Sequence, residues 1–289
     1  MSTQVDPLQL LPIERWHELE AAFEADGPRG VSGLMALRTQ KRLEANGLGY
    51  GFQVFCPYGN PNNGMVAFNK KDASYEIIIQ CPRDDTSTLE EALSQTNRIN
   101  WGTPIVIPCL PDHTYMCIQG VAKAVSTEIE SEADHPPHYF VLYEANNPSF
   151  EDIRLPEGVT YKRITEDYIE SIDNAWPNRY NGSIWMFNFL INAKLGYGLF
   201  KKDELLSCVF INEIGALMHL YTFERHRKKG YAKLLLQILC SEQSKQNNNV
   251  FGYCHRDNTE ALNLYKRINF KILHFVKWGF MKPKQLKHE

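Results

Sequence analysis

The sequence predicts a mixed α/β (α+β) fold built in two parts. Three observations carry that prediction. Short apolar runs bounded by turn residues alternate with amphipathic helical patterns; turn residues cluster near residue 150; and the second half sets a strand, a basic glycine turn and a helix in immediate succession. The parts are residues 1–150 and 151–289, and a chain of 289 residues suits two domains of ordinary size.

The first part opens with an amphipathic helix marked by Ile13, Trp16, Leu19 and Phe23, and a second helical pattern runs through Leu34, Leu37 and Leu43. Strands are expected at 50–55, 65–68 and 75–79, the first two parted by the turn Gly59-Asn60-Pro61-Asn62-Asn63-Gly64. A helix follows over 87–98 with Thr86 or Ser87 as its cap, then strands near 104–107 and 115–119. This part holds no chemical motif, and His113, His135 and His138 read as surface or turn residues. Its end is marked by Asp134-His135-Pro136-Pro137-His138, Asn146-Asn147-Pro148-Ser149 and Pro156-Glu157-Gly158, with a strand-like run at 139–143 between the first two.

The second part reads as a strand at 159–164, helices at 166–174 and 183–193, and strands at 198–201, 205–211 and 216–222. The turn Asn212-Glu213-Ile214-Gly215 joins the last two. Next come Arg227-Lys228-Lys229-Gly230-Tyr231-Ala232 and a helix to about Asn247, whose face is set by Tyr231, Leu234, Leu235, Ile238 and Leu239. A strand at 250–254 leads to Asp257-Asn258-Thr259-Glu260, spaced as a capping box with Asp257 as cap, and a helix to Ile268. Paired strands at 270–276 and 278–281 close a sheet that is mixed and mostly antiparallel.

Composition narrows the partners. Lys and Arg number 31 against 34 Asp and Glu, a formal charge of -3, which gives no general reason to expect nucleic acid or an anionic membrane. The seven cysteines are scattered with no C-x-x-C pair and no Cys/His spacing suited to zinc, so reduced thiols and no metal are expected. The N-terminus lacks the basic lead and apolar run of a signal peptide, and no stretch approaches the ~20 apolar residues of a membrane span, so the cytoplasm is the expected compartment. Nothing in the sequence specifies an oligomeric state.

The basic turn at 227–232 is the most informative stretch. A strand feeding a glycine turn and a helix start offers unpaired backbone N–H groups and the positive end of a helix dipole, a site for phosphate or pyrophosphate. As a bare string the pattern is weak, and a solvated turn capping an ordinary helix satisfies it equally. A second stretch, 257–270, sets Asn258 where a strand gives way to a helix and Tyr265 one turn past Ala261. A tyrosine at such spacing is often simply core.

Together these stretches resemble the GCN5-related N-acetyltransferase superfamily. Arg227-x-x-Gly230-x-Ala232 corresponds to its pyrophosphate loop, and Asn258, Ala261, Tyr265 and Phe270 to its second signature, with Asn269 where the family has glycine. A narrower resemblance is to the glycine N-acyltransferase-like (FR47-like) family, through Ser207-Cys208-Val209, Gly215, Tyr221-Thr222 and Arg227-x-x-Gly230. Gly59-Asn60-Pro61, Ile99-Asn100-Trp101 and the run from Trp278 to Pro283 are similar to landmarks of the same family.

The resemblance implies an acetyltransferase fold over 151–289, preceded by a divergent relative of it over 1–150. It implies acetyl-CoA or another acyl-CoA as co-substrate, held by Leu220, Tyr221, Thr222, Arg227, Lys228, Lys229, Gly230, Tyr231, Ala232, Asn258 and Tyr265, with Tyr265 as the acid for the leaving sulfur. The acceptor would be the amine of a small molecule or amino acid, by direct transfer. A protein N-acetyltransferase and a non-catalytic module that binds acyl-CoA are the alternatives, and the resemblance adds the mitochondrion as a second compartment. A base is not identified. Relatives carry Glu or His where this chain has Ala216 and Met218; His219 is one residue off, on the opposite face if the strand alternates regularly, and Glu213 lies in the preceding turn.

Overall fold

The same order of elements is laid down twice along the chain: strand, two helices, three strands, helix, strand, helix. The structure is a computed structural model that describes residues 5–71, 75–131, 135–148, 150 and 153–284; Asp134 and Ser149 of the boundary turns lie outside them. The first run comprises β1 (Leu8–Leu10), α1 (Trp16–Ala25), α2 (Val31–Ala45), β2 (Gln53–Pro57), β3 (Met65–Lys70), β4 (Tyr75–Gln80), α3 (Ser87–Gln95), β5 (Ile105–Pro111) and α4 (Asp112–Ala124). After β6 (Thr127–Ile129) and β7 (His138–Tyr143) the second run begins. It comprises β8 (Val159–Arg163), α5 (Ile169–Ala175), α6 (Ser183–Asn192), β9 (Gly196–Lys201), β10 (Glu204–Ile211), β11 (Leu217–Thr222), α7 (Tyr231–Ser244), β12 (Val250–His255) and α8 (Thr259–Arg267). The last strand is β13 (Lys271–Pro283).

Contacts group the residues into two units, one running to Tyr139 and resuming at His274, the other from Phe140 to Leu273. Each unit therefore takes a strand from beyond its own run: His274 onward of β13 in the first, Phe140 onward of β7 in the second. In the first unit the strands lie in the order β1-β2-β3-β4-β5-β13, antiparallel except for β4 with β5, and β6 also pairs with β13. Its core joins Leu8, Val66, Ile77 and Ile79 of the strands to Leu89, Leu93, Ile118 and Val121 of α3 and α4. In the second the order is β7-β12-β11-β10-β9-β8, with β8 through β11 antiparallel and β11 parallel to β12. Phe187 and Leu190 of α6, Tyr197 and Phe210 of the sheet, and Leu235 and Leu239 of α7 are fully buried there. Burying each such side chain stabilises the fold by about 1.5–3 kcal/mol.

The mixed, mostly antiparallel sheet flanked by helices is the expected fold class. Several elements differ from expectation for physical reasons. The expected strand at 115–119 is part of α4: Tyr115, Ile118, Val121 and Ala122 are buried at helical spacing while Met116 is 69% exposed, so the period is that of a helix. The two strands expected at 270–276 and 278–281 are the single strand β13, because Lys277 and Trp278 form no turn and stay paired or packed alongside β5. The 87–98 helix ends at Gln95, and neither expected cap residue bonds as one; Asp85 Oδ1 instead accepts the Ser87 N–H at 3.0 Å. At α8 the cap is Asn258 rather than Asp257, its Oδ1 accepting the Ala261 N–H at 3.1 Å.

Candidate functional site

Two neighbouring strands of the second unit, β11 and β12, set the frame of the site. They pair in parallel at Leu217↔Gly252. Beyond it Met218, His219, Leu220 and Tyr221 of β11 and Tyr253, Cys254 and His255 of β12 line a cavity of about 490 Å³. The other side of β11 is irregular too. Its register with β10 moves from Cys208↔Tyr221 to Phe210↔Met218, so β11 carries one extra residue in that interval, a β-bulge. His219, at φ 51°, is in the left-handed region that few non-glycine residues adopt. The bulge breaks the alternation that would have turned His219 away, and His219 is among the residues that line the cavity.

His219 is held in one tautomer. Its Nε2 lies 3.2 Å from the Ile172 carbonyl, and since a carbonyl only accepts, that nitrogen carries the proton and donates. Burial pushes its pKa down to about 4, opposed by the bond to Ile172, so the ring is neutral at physiological pH. Tyr221 stacks on it with centroids 5.5 Å apart, and Trp176 and Phe187 lie at 6.2 and 5.8 Å.

Past β11 the chain turns into α7. Arg227 lines the cavity, its Nε donating to the Thr222 carbonyl at 3.2 Å and its guanidinium lying 5.4 Å from the Tyr221 ring. Lys228 (φ 59°) and Gly230 (φ 82°) are both left-handed. Nothing lies within 4 Å of where a Cβ on Gly230 would sit, so conformation rather than crowding calls for glycine there. Gly230 caps α7 without a side-chain hydrogen bond, so the first-turn amides of Tyr231, Ala232 and Lys233 have no side-chain partner at the cap. The turn is anchored from behind, where Glu204 pairs with Arg225 and His226, each at 2.7 Å.

The α8 signature is explained by a helix end. Phe270 N–H donates to the Tyr265 carbonyl and Asn269 N–H to the Lys266 carbonyl, with Asn269 left-handed at φ 64°: a Schellman motif. Asparagine tolerates that conformation, which is why it can stand where the family has glycine. The accompanying apolar contact is Phe270 on Tyr265, centroids 4.9 Å apart. The spacing from Tyr265 to Phe270 is thus a device that fixes the tyrosine, a buried residue that is among those lining the cavity. Burial raises its hydroxyl pKa, so the phenol keeps its proton.

Of the residues expected to bind the co-substrate, Leu220, Tyr221, Arg227, Asn258 and Tyr265 line the cavity, whereas Thr222 and Lys228 to Ala232 continue the chain outside the lining. Glu213 is buried at 4% exposure and is not among the lining residues, and Ala216 is likewise buried. Ala175 at the end of α5 and Trp176, Pro177 and Asn178 just after it, none of them expected from the sequence, form a third wall. A Trp-Pro pair in a loop was the available signal. Among the described residues no group of three or more His, Cys, Asp or Glu is arranged to hold a metal, and no helix is long and apolar enough to cross a membrane. All seven cysteines are buried free thiols.

Residues 196–278 match the family described as FR47-like protein. A Drosophila protein of known structure is similar over 97% of this chain and 100% of its own, with a TM-score of 0.81 at 18% identity. A GCN5-related N-acetyltransferase from Sphaerobacter thermophilus is similar over 96% of this chain and 97% of its own, at TM-score 0.55 and 12% identity. A tandem GNAT protein from the clavulanic acid biosynthesis pathway is similar over 97% and 99%, at TM-score 0.52 and 10% identity.

Proposed function

We propose, from the premise that residues 196–278 are FR47-like and the chain has the GCN5-related N-acetyltransferase fold, that this protein transfers an acyl group from a CoA thioester to the amine of a small molecule or amino acid. The observation that carries it is the start of α7, capped by Gly230 without a side-chain hydrogen bond behind the left-handed Lys228, where the preceding Arg227 reaches a cavity lined by β11 and β12. The backbone N–H groups of 228–232 would hold the pyrophosphate, each charge–dipole contact typically worth ~0.3–1 kcal/mol. Main-chain groups of 218–222 on the edge of β11 away from β10, which keeps Met218, Tyr221 and Thr222 paired, would receive the pantetheine arm as a further strand. A cavity of about 490 Å³ is in the range of small-molecule sites.

In the reaction the amine nitrogen attacks the thioester carbon, backbone N–H groups stabilise the oxyanion, and the C–S bond breaks. Tyr265, kept protonated by burial, gives its proton to the departing sulfur, the nitrogen loses one proton to solvent, and Tyr265 regains one from solvent. Residues 151–289 would carry this chemistry, with 1–150 a divergent relative of the same fold. The free buried thiols support a reducing compartment, the cytosol.

A second reading, a module that binds acyl-CoA without turnover, is favoured by the apolar Ala216 and Met218 where relatives carry a base. Melting with and without CoA, followed by CoA-thiol release with a panel of amines, separates the two. Acyl transfer requires both a rise in Tm and thiol release; a rise without release leaves the binding module.

A further inference from the structure

The cavity that would receive the acceptor offers little to an ammonium ion. Among the described residues that line it there is no carboxylate. Asp173, just before the wall formed by 175–178, is 1% exposed and already taken by Arg179 at 2.6 Å and by the Ser183 hydroxyl. Asp257 and Glu224 are 71% and 82% exposed, outside the lining. The fixed charge among these lining residues is Arg227, a cation assigned above to the co-substrate, and it offers an ammonium ion no counter-charge. The walls are aromatic instead: Trp176, His219, Tyr221 and Tyr253, with the His219 ring stacked 18° from the plane of Tyr221.

A cationic amine entering this space loses water and meets no counter-charge. An alkylamine as basic as lysine, pKa about 10.4, is neutral in only about one part in a few thousand at pH 7 and must shed a proton before it attacks. Ala216 and Met218 supply no acceptor for that proton, the His219 imidazole is too weakly basic to take it, and Nδ1 of His255, the other imidazole in the lining, already accepts the Asp257 N–H at 3.2 Å. An amine on an aromatic ring arrives neutral, with its lone pair ready, and its ring matches the walls.

Building on the acyl-transfer reading above, we propose that the acceptor is an arylamine, seated against Trp176, His219 and Tyr221. Its nitrogen forms the C–N bond as the C–S bond breaks. The nitrogen then loses one proton to solvent, and the thiolate takes one from Tyr265. Amide and CoA thiol are the products, with no other reactant.

The test uses the full chain with acetyl-CoA, and aniline, phenethylamine and glycine as acceptors between about pH 6 and pH 8. We expect kcat/KM for aniline to exceed that for phenethylamine at least about tenfold at neutral pH, flat with pH for aniline and rising about tenfold per unit for phenethylamine. Trp176→Ala should raise the aniline KM about tenfold and Trp176→Phe restore it, with the CoA-induced rise in Tm unchanged in both. A better rate with phenethylamine or glycine overturns the arylamine assignment and leaves acyl transfer standing. So does an aniline KM indifferent to Trp176→Ala. No release with any of the three, while CoA still raises Tm, overturns the acceptor class but spares cofactor binding. No rise in Tm with CoA removes both.

Discussion

In the second unit β11 bulges at His219 in its pairing with β10, whereas in the first unit the corresponding strand, β4, keeps an unbroken register with β3 from Lys70↔Tyr75 to Met65↔Gln80. The bulge of the first unit is on the other strand. Cys109 of β5 is left-handed at φ 62°, and its carbonyl accepts from Gln80 Nε2 at 2.9 Å, a buried bond across the two strands. His113 Nε2 lies 3.0 Å from the Cys81 carbonyl and donates to it. The position that opens in one unit is filled by the protein's own polar atoms in the other.

The turns and helices differ in the same sense. Residues 223–230 lead into an α7 whose cap, Gly230, supplies no side-chain bond, with Lys228 and Gly230 left-handed, while 81–86 hold no glycine. There Asp85 supplies a carboxylate to the start of α3, and Asp84 pairs with Arg29 at 2.6 Å. An anion already occupies the helix end that would bind one. Four residues before the left-handed Asn269 stands Tyr265; four before the left-handed Ser126 stands Ala122. Order of elements is therefore compatible with both an open site and a closed core, and the difference lies in a few residues at strand and helix ends.

The comparison breaks or sharpens through substitutions at matched positions. Tyr265→Phe should lower turnover about 10²–10⁴-fold while CoA still raises Tm; full turnover removes the tyrosine as acid. His219 should make stability depend on acid. Its pKa is lowered from 6.5 to about 4 in the fold, so the unfolded chain takes up a proton first, and stability present above pH 6.5 is lost as pH falls through 4. By linkage the loss is about 3 kcal/mol, and His219→Gln should flatten that part of the pH–stability curve measured by denaturant unfolding. Calorimetric titration should find one CoA site per chain, and Gly230→Glu should abolish the ~2.7 kcal/mol of stabilisation expected at a hundredfold excess over Kd. Two sites would mean that the closed unit opens. In the first unit Gln80→Leu, which removes the buried bond from Gln80 Nε2 to the Cys109 carbonyl, should cost about 1–3 kcal/mol with the CoA response intact. Asp85→Ala should lower Tm least, again without touching the CoA response.

Residue order determined a good deal by itself. Local periodicity located α7, the flanking strands and the glycine turn, because amphipathic spacing and a left-handed glycine act within a few residues. The spacing of Asn258, Tyr265 and Phe270 was equally legible, being the two ends of one helix. Other features depend on partners far away in the chain. A short apolar run such as 115–119 suits a strand or a helix until its buried face is known. A bulge at His219 exists only relative to the register of β10, so regular alternation put the ring on the wrong side. The first unit's closure at Gln80 needs Cys109 brought opposite, and the strands each unit takes from beyond its own run need the whole chain. Tertiary structure decided these because strand pairing and burial are set by neighbours in space, which a single sequence does not record.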